Sequence, residues 1–583
     1  MFKRLFRWLL RTIFVLIVLF LIVAASEYLS HRYKPGSVLV VQLDGPVVER
    51  GAESPLGLFT QQAQTSLNLV RRALTQAERD KRIVGLAIKV IDPQMELAQA
   101  QELCAMIREF RGHGKWTTAY METAGESGFG NLPYLVAASA DEVSMMPQGE
   151  LNILGVGMRE IFARGLFDRI KVTPNFASIG KYKSAANIFT EKDFTPAQRE
   201  EDNALAGDMF DQIVAGMAAD RHLPPGQIRA AIDSAPLSAA AGLKDHLLDR
   251  LEYEDQFDDR VKQYRGESHD EISYDDYARP TLGWIGGASD KIAIVYGIGA
   301  IQRGAGGFDP MLGPASEAMT SDDMIAAFKD AREDASVRAV VFRVDSPGGS
   351  VIASELIRRA VELTAKKKPV VVSMSSYGAS GGFWVATPAA KIIADPGTIT
   401  GSIGVLGGKF NIAGAVGSLG VASGAVSRGA NATMFDAFTD FTPAQEQIFR
   451  DQILGDTYQY FLKLVAAQRH LTVAQVNAVA QGRVWTGQQA LQVKLIDQLG
   501  TMTDAIAAAK RLAGLSPATR VGIEELPVPV GAFGKLLNGQ IVGLVSAQWR
   551  VAPELAPLAR AMRMAVERRS MIGEVYCPVV PVL

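Results

Sequence analysis

Apolar positions in this chain fall into two kinds of run. Short unbroken stretches rich in β-branched residues, such as residues 83–90, 337–344 and 370–372, end at turn-forming residues, as strands buried on both faces do. Between them lie stretches with apolar residues three and four apart, residues 357–366 for example, which predict amphipathic helices. Alternation of the two predicts parallel strands covered by crossover helices, an α/β fold. A third pattern opens the chain. Residues 12–26 are uncharged and 13–23 entirely apolar, behind Lys3, Arg4, Arg7 and Arg11. This predicts one membrane-spanning segment with its basic flank in the cytoplasm, a cleaved signal peptide being the alternative. Either exports the body of the protein.

The apolar pattern occurs twice. Phe194-Thr195-Pro196-Ala197-Gln198 returns as Phe441-Thr442-Pro443-Ala444-Gln445, and Arg221-His222-Leu223 as Arg469-His470-Leu471, at offsets of 247 (441 − 194) and 248 (469 − 221) residues. A period this long marks a duplicated domain and excludes a solenoid, whose units are far shorter. The organisation expected is a basic segment (1–11), a transmembrane signal-anchor (12–27), a stalk (28–36), a first repeat (37–265), a linker (266–290), a second repeat (291–515) and a helical tail (516–583). In the tail, residues 533–549 and 555–566 have amphipathic spacing suited to core or subunit contacts.

Charge narrows the function. The net charge is −2 with no basic run beyond the N-terminus, which gives nucleic acid no footprint. Cys104 and Cys577 stand far apart and in no ligand spacing, so neither a disulfide framework nor a zinc site is expected, and no cofactor motif is present.

Comparison of the two copies shows where chemistry was kept. The second reads Asp345-Ser346-Pro347-Gly348-Gly349-Ser350, then Gly378-Ala379-Ser380-Gly381-Gly382-Phe383-Trp384, then Thr400-Gly401-Ser402-Ile403-Gly404. The first has Asp92-Pro93-Gln94-Met95 in place of the glycine pair and Asn131 in place of Ser380, but carries Gly180-Lys181-Tyr182-Lys183-Ser184-Ala185 where the second has Ser427-Arg428-Gly429-Ala430-Asn431. One copy retains a serine and the other a lysine. A serine hydroxyl needs a base to take its proton, and no histidine lies between His269 and His470. Lysine serves if burial keeps it neutral, and Tyr182, Ala185, Ala186, Ile188 and Phe189 are expected to supply that apolar setting. Lys181, two residues away, cannot be separated from Lys183 by spacing. Ser184 and Ser350 read as locally hydrogen-bonded serines. The N–H of Gly381, with that of Gly348 or Gly349, suits an oxyanion hole.

These four motifs closely resemble the signal peptide peptidase A family in its long, duplicated protease IV form, over nearly all residues from the membrane segment to about 515. The resemblance implies two tandem repeats of a fold related to Clp protease and crotonase. It implies Ser380 as nucleophile, Lys183 as general base and Ser402 as a residue orienting the lysine. It further implies a bowl-shaped homotetramer, with no metal or cofactor, cleaving remnant signal peptides and other apolar peptides at a bacterial inner membrane, the catalytic body outside the cytoplasm. Small and apolar residues around the serine, including Ala379, Phe383 and Trp384, fit such a substrate. Three rivals remain. An α/β-hydrolase esterase would use the same Gly-x-Ser-x-Gly with His470, although the repetition of that histidine at His222 reads as structural. A coenzyme-A enzyme would share the fold but not an exported location, and a non-catalytic membrane scaffold would have no reason to keep the serine and lysine in complementary copies.

Overall fold

The computed structural model describes residues 33–51, 64–126, 128–265, 270–278, 290–305, 308–309, 313–314, 318–527 and 574–576. The expected membrane segment and the tail's two amphipathic stretches lie outside these residues.

Two compact units make up the chain. Among the described residues, one gathers those before Ala52 with those of Thr60–Gly155 and Ile213–Ala288, the other Val156–Gln212 and those that follow Ser289. The first unit is built on a parallel sheet in the order Glu271–Ser273, Ser37–Val48, Ile83–Gln94, Trp116–Met121, Glu142–Met145 and Arg250–Leu251. The second repeats that order with Gly522–Leu526, Lys291–Ile298, Val337–Ser346, Val370–Ala379, Lys391–Ala394 and Gln498–Leu499, again all parallel. Each unit adds a short antiparallel pair at the same place, Glu150–Leu151 with Leu237–Ser238 and Ile399–Gly401 with Val484–Thr486. The duplication seen in sequence is thus a duplication of sheet topology.

Unbroken apolar strands follow from helices on both faces. Val340, Phe342, Val370 and Val372 join one core with Phe328, Ile357 and Val361 of the helices Ser321–Glu333 and Val351–Ala365. Ala339, Val341 and Val371 point the other way, onto Met502, Ala505 and Ala509 of the helix Met502–Leu512. Alternate residues along one strand therefore feed opposite cores.

Three expectations change. The unit boundary does not follow the repeat boundary, because Val156–Gln212, part of the first repeat by sequence, packs with the second unit. The stretch read as a linker contains the strand Glu271–Ser273, paired with Ser37–Val48, and the helix Tyr274–Ala278 with Tyr277 buried; its acidic residues disguised an edge strand. The described parts of the tail form turns and two strands instead of helix: Gly522–Leu526 closes the second sheet, and Glu574–Tyr576 enters a third.

Candidate active site

The strand Val370–Ala379 delivers Ser380 at its carboxyl end, and the helix Gly381–Ala386 starts immediately after it. So abrupt a turn strains the backbone: Ser380 has φ 58° and ψ −115°, a conformation of the kind that L residues hold only where the surroundings impose it. The Ser380 N–H donates to the Gly401 carbonyl at 2.9 Å, and the Trp384 N–H to the Ser380 carbonyl at 2.9 Å. Glycines make the close approach possible. A Cβ on Gly382 would stand 2.5 Å from the Ser346 carbonyl oxygen, and one on Gly381 3.2 Å from the Gly348 Cα. The glycine pair after Ser346 and the glycine pair after Ser380 therefore meet.

Lys183 reaches the same point from the segment that crosses into this unit. The strand Thr173–Ile179 pairs antiparallel with Val405–Asn411, Ile179 opposite Val405, three residues past Ser402. Gly180, at φ 111°, then turns the chain against Gln481 and Gly482, where the Tyr182 N–H donates to the Gln481 carbonyl at 2.9 Å. Lys183 is 2% exposed, and its Nζ lies 2.7 Å from Ser380 Oγ, 3.0 Å from Ser402 Oγ and 3.0 Å from the Ser402 carbonyl oxygen. Ser380 and Ser402 are fully buried, and Ser402 also takes a left-handed conformation, φ 50°. All three residues belong to one compact unit.

The neighbouring candidates separate clearly. Lys181 is exposed, its Nζ 4.4 Å over the Tyr182 ring, so the two-residue ambiguity is decided by burial. Ser350 caps the helix Val351–Ala365 by accepting from the Ala353 N–H, whereas the buried Ser184 Oγ has no hydrogen-bond partner among the described residues, contrary to its reading as a locally bonded serine. The Gly348 N–H donates to Ser346 Oγ at 3.2 Å. His470 is an exposed left-handed residue ending the helix Asp456–Arg469, and His222 repeats that conformation at φ 55°. In the first unit the place of Ser380 falls on Gly130 and not on Asn131, one residue from the sequence alignment: the Gly130 N–H donates to the Asn152 carbonyl and the Tyr134 N–H to the Gly130 carbonyl, each at 3.0 Å, at the start of the helix Asn131–Ala138, while the Asn131 side chain exchanges hydrogen bonds with Gly155 at 2.7 and 3.1 Å.

Two readings of the surroundings fail. Ile188 is 39% exposed and does not desolvate the lysine; Ala186 and Tyr182 are buried, but Lys183 is enclosed chiefly by residues distant in sequence. Ala379, Phe383 and Trp384 are enclosed in the core, with the Trp384 ring tilted against Phe461 at 4.5 Å and donating to Glu355, so they report packing and not substrate preference.

Sequence reasoning missed the wall behind Lys183. Arg483 stacks over Tyr182 and Trp485 at 4.8 and 4.4 Å and donates to Glu200 Oε1 at 2.9 Å, which also accepts from the Tyr182 hydroxyl. Glu201, fully buried, accepts the Val484 N–H, and burial pushes its carboxyl up to about 8. Nothing in the local sequence separates Glu201 from the exposed Glu200 beside it.

A third sheet borders the site in the order Ala318–Thr320, Ala300–Gln302, Gly348–Ser350, Glu574–Tyr576, Val405–Asn411, Thr173–Ile179. Within it the short strand Glu574–Tyr576 lies antiparallel between the glycine strand, Gly349 opposite Val575, and the strand that follows Ser402, Leu406 opposite Glu574.

Similarity to known proteins extends beyond these residues. Residues 109–267 and 362–516 match the profile of peptidase family S49. The chain is 33% identical over 471 residues to Protease 4 of Salmonella typhi, covering 78% of this chain and 73% of that protein. It is 30% identical to Protease 4 of Haemophilus influenzae, covering 76% and 72%. It is 29% identical to the chloroplastic serine protease SPPA of Arabidopsis thaliana, covering 88% and 74%.

Proposed function

Because the chain belongs to peptidase family S49 and is a serine peptidase of the long Protease 4 type, we propose that Ser380 is its nucleophile and Lys183 its general base. The observation that carries this reading is the 2.7 Å separation of Lys183 Nζ from Ser380 Oγ, both side chains being buried. An uncharged amine there takes the hydroxyl proton as Ser380 attacks the scissile carbonyl, then returns it to the leaving amine. Ser402, with both its oxygens on Nζ, orients the lysine. The N–H groups of Gly381 and Gly349 hold the oxyanion, Gly349 in preference to Gly348, whose N–H is engaged by Ser346.

Peptide is the natural substrate of such a site. The place taken by Glu574–Tyr576 accepts an extended backbone between the glycine strand and the strand after Ser402, which supports binding of substrate by strand addition. The apolar N-terminal run supports anchoring of the protein in a bacterial inner membrane with its catalytic body outside the cytoplasm, where remnant signal peptides and other apolar peptides are its substrates. The resemblance to signal peptide peptidase A further supports repeats of Clp protease type and a homotetramer.

Turnover of apolar fluorogenic peptides by the full chain tests the catalytic assignment. Ser380→Ala and Lys183→Ala each abolish turnover and His470→Ala spares it. An active Lys183→Ala variant together with an inactive His470→Ala variant would replace the pair with a serine–histidine hydrolase.

A further inference from the structure

The residue that stands behind the lysine in this geometry is Glu201. It lies in the helix Pro196–Arg221, one face of which clamps the edge strand Val484–Thr486. Glu201 Oε1 accepts the Val484 N–H, the Ala204 carbonyl accepts from Gln489 at 3.1 Å, and Asp208 Oδ2 accepts from the Thr486 hydroxyl at 2.5 Å. Without Glu201, the Val484 N–H would be a buried donor at a sheet edge with nothing to receive it. The same strand holds Ser402. Val484 pairs with Gly401, the Arg483 carbonyl accepts the Ser402 N–H at 2.7 Å, and the Gly482 N–H donates to the Ile403 carbonyl at 2.8 Å. Ser402 keeps its left-handed backbone because its neighbours hold it there, and it contributes two of the three short contacts to Lys183 Nζ described above.

We propose that Glu201 is a positioning residue for the dyad, its carboxyl group fixing Val484, through Val484 the strained Ser402, and through Ser402 the nitrogen of Lys183 beside Ser380. The proposal rests on the reading of Ser380 and Lys183 as nucleophile and base.

The chemistry of the group suits that role. Its second oxygen is buried without a hydrogen-bond partner among the described residues, a position that disfavours a charge. Burial, with Asp202 adding to it, outweighs the pull of the Val484 N–H, Arg483 and Lys183 and keeps the acid protonated at neutral pH. A carboxylate here would favour the ammonium form of Lys183, which cannot accept a proton from serine. The neutral acid supplies the acceptor for Val484 and withholds that charge.

Glutamine keeps the acceptor and cannot ionise; alanine removes the acceptor. The test is kcat, KM and the pH profile of kcat/KM for the full chain on an apolar fluorogenic peptide, comparing the parent with Glu201→Gln and Glu201→Ala, with Ser380→Ala and Lys183→Ala alongside. Glu201→Ala loses at least tenfold in kcat with KM within twofold of the parent. Glu201→Gln stays within twofold of the parent at pH 7, where the parent's carboxyl is itself protonated, and its alkaline limb lies at higher pH by half a unit or more, because the carboxylate that forms in the parent above about pH 8 and holds the proton on the lysine cannot form in the variant. A merely structural role would not move that limb. A folded Glu201→Ala variant with parental kcat, or a Glu201→Gln profile that superimposes on the parent, overturns the proposal. Should the alanine variant fail to fold, the glutamine profile decides alone. Activity remaining in Lys183→Ala or Ser380→Ala would instead defeat the dyad reading, and this inference with it.

Discussion

Gly482 lies so close to Lys183 that a Cβ built on it would stand 2.6 Å from the lysine's own Cβ and 2.6 Å from its backbone nitrogen. The glycine also has φ 77°, a conformation that side chains resist. The lysine backbone is thus pressed against the loop that holds Ser402, which is how Lys183 from one repeat is kept in register with Ser380 from the other.

Gly482→Ala should therefore be more damaging than its single methyl suggests. Relief of the clash pushes Lys183 away from Ser380, and kcat should fall 100-fold or more, with stability lower by about 1–3 kcal/mol. Peptide turnover and thermal unfolding measured on the same preparation check both parts. Parental turnover would show that the lysine backbone can shift at no cost to catalysis.

Ser402→Ala removes the hydroxyl from Lys183 Nζ and leaves the Ser402 carbonyl in place. A partial loss is expected, about tenfold in kcat, equivalent to ~1.4 kcal/mol, with KM unchanged. Steady-state kinetics separates this from a defect in substrate binding, which would raise KM instead.

Gly381→Ala places a methyl 2.7 Å from Ser354 Oγ and 3.2 Å from the Gly348 Cα. The start of the helix Gly381–Ala386 and the strand Gly348–Ser350 must separate, and with them the N–H groups assigned to the oxyanion. Loss of one such donor typically costs 10²–10³ in kcat, about 3–4 kcal/mol. The expected signature is a collapse of kcat while labelling of Ser380 by a small serine-directed phosphonate persists, since Ser380 and Lys183 are untouched.

Glu201 also sets a pH dependence of stability. Its carboxyl ionises at about 8 in the folded chain against an ordinary value of 4.5, so the folded state holds a proton that the unfolded state releases. Stability therefore falls as pH rises from about 4.5 to 8, a penalty of about 3 kcal/mol at pH 7. Glu201→Gln removes it: its unfolding midpoint should exceed the parent's at pH 8 and approach it at pH 5. Parallel midpoints across that range would mean that the carboxyl is solvated in the native protein.

Much of this architecture was legible in the chain itself. Unbroken β-branched runs gave the buried parallel strands, because a strand covered on both faces has no polar side to show. The recurrence of Phe-Thr-Pro-Ala-Gln and Arg-His-Leu revealed two copies of one topology, and loss of serine from one copy and of lysine from the other singled out Ser380 and Lys183. Local sequence could go no further. Lys181 and Lys183 are both flanked by the same aromatic residue, and only packing buries one and leaves the other over the Tyr182 ring. Ser402 and Ser380 stand 219 and 197 residues from Lys183, and Glu201 is 283 residues from the Val484 N–H it holds. Contacts at such separations leave no periodicity to read. The sequence determined which residue types the two copies retained and which elements carry them. Tertiary structure decided that Val156–Gln212 packs with the second unit, which acid is buried beside the lysine, and which glycine leaves it room, because desolvation and close approach are properties of residues brought together by the fold and not of any one segment of chain.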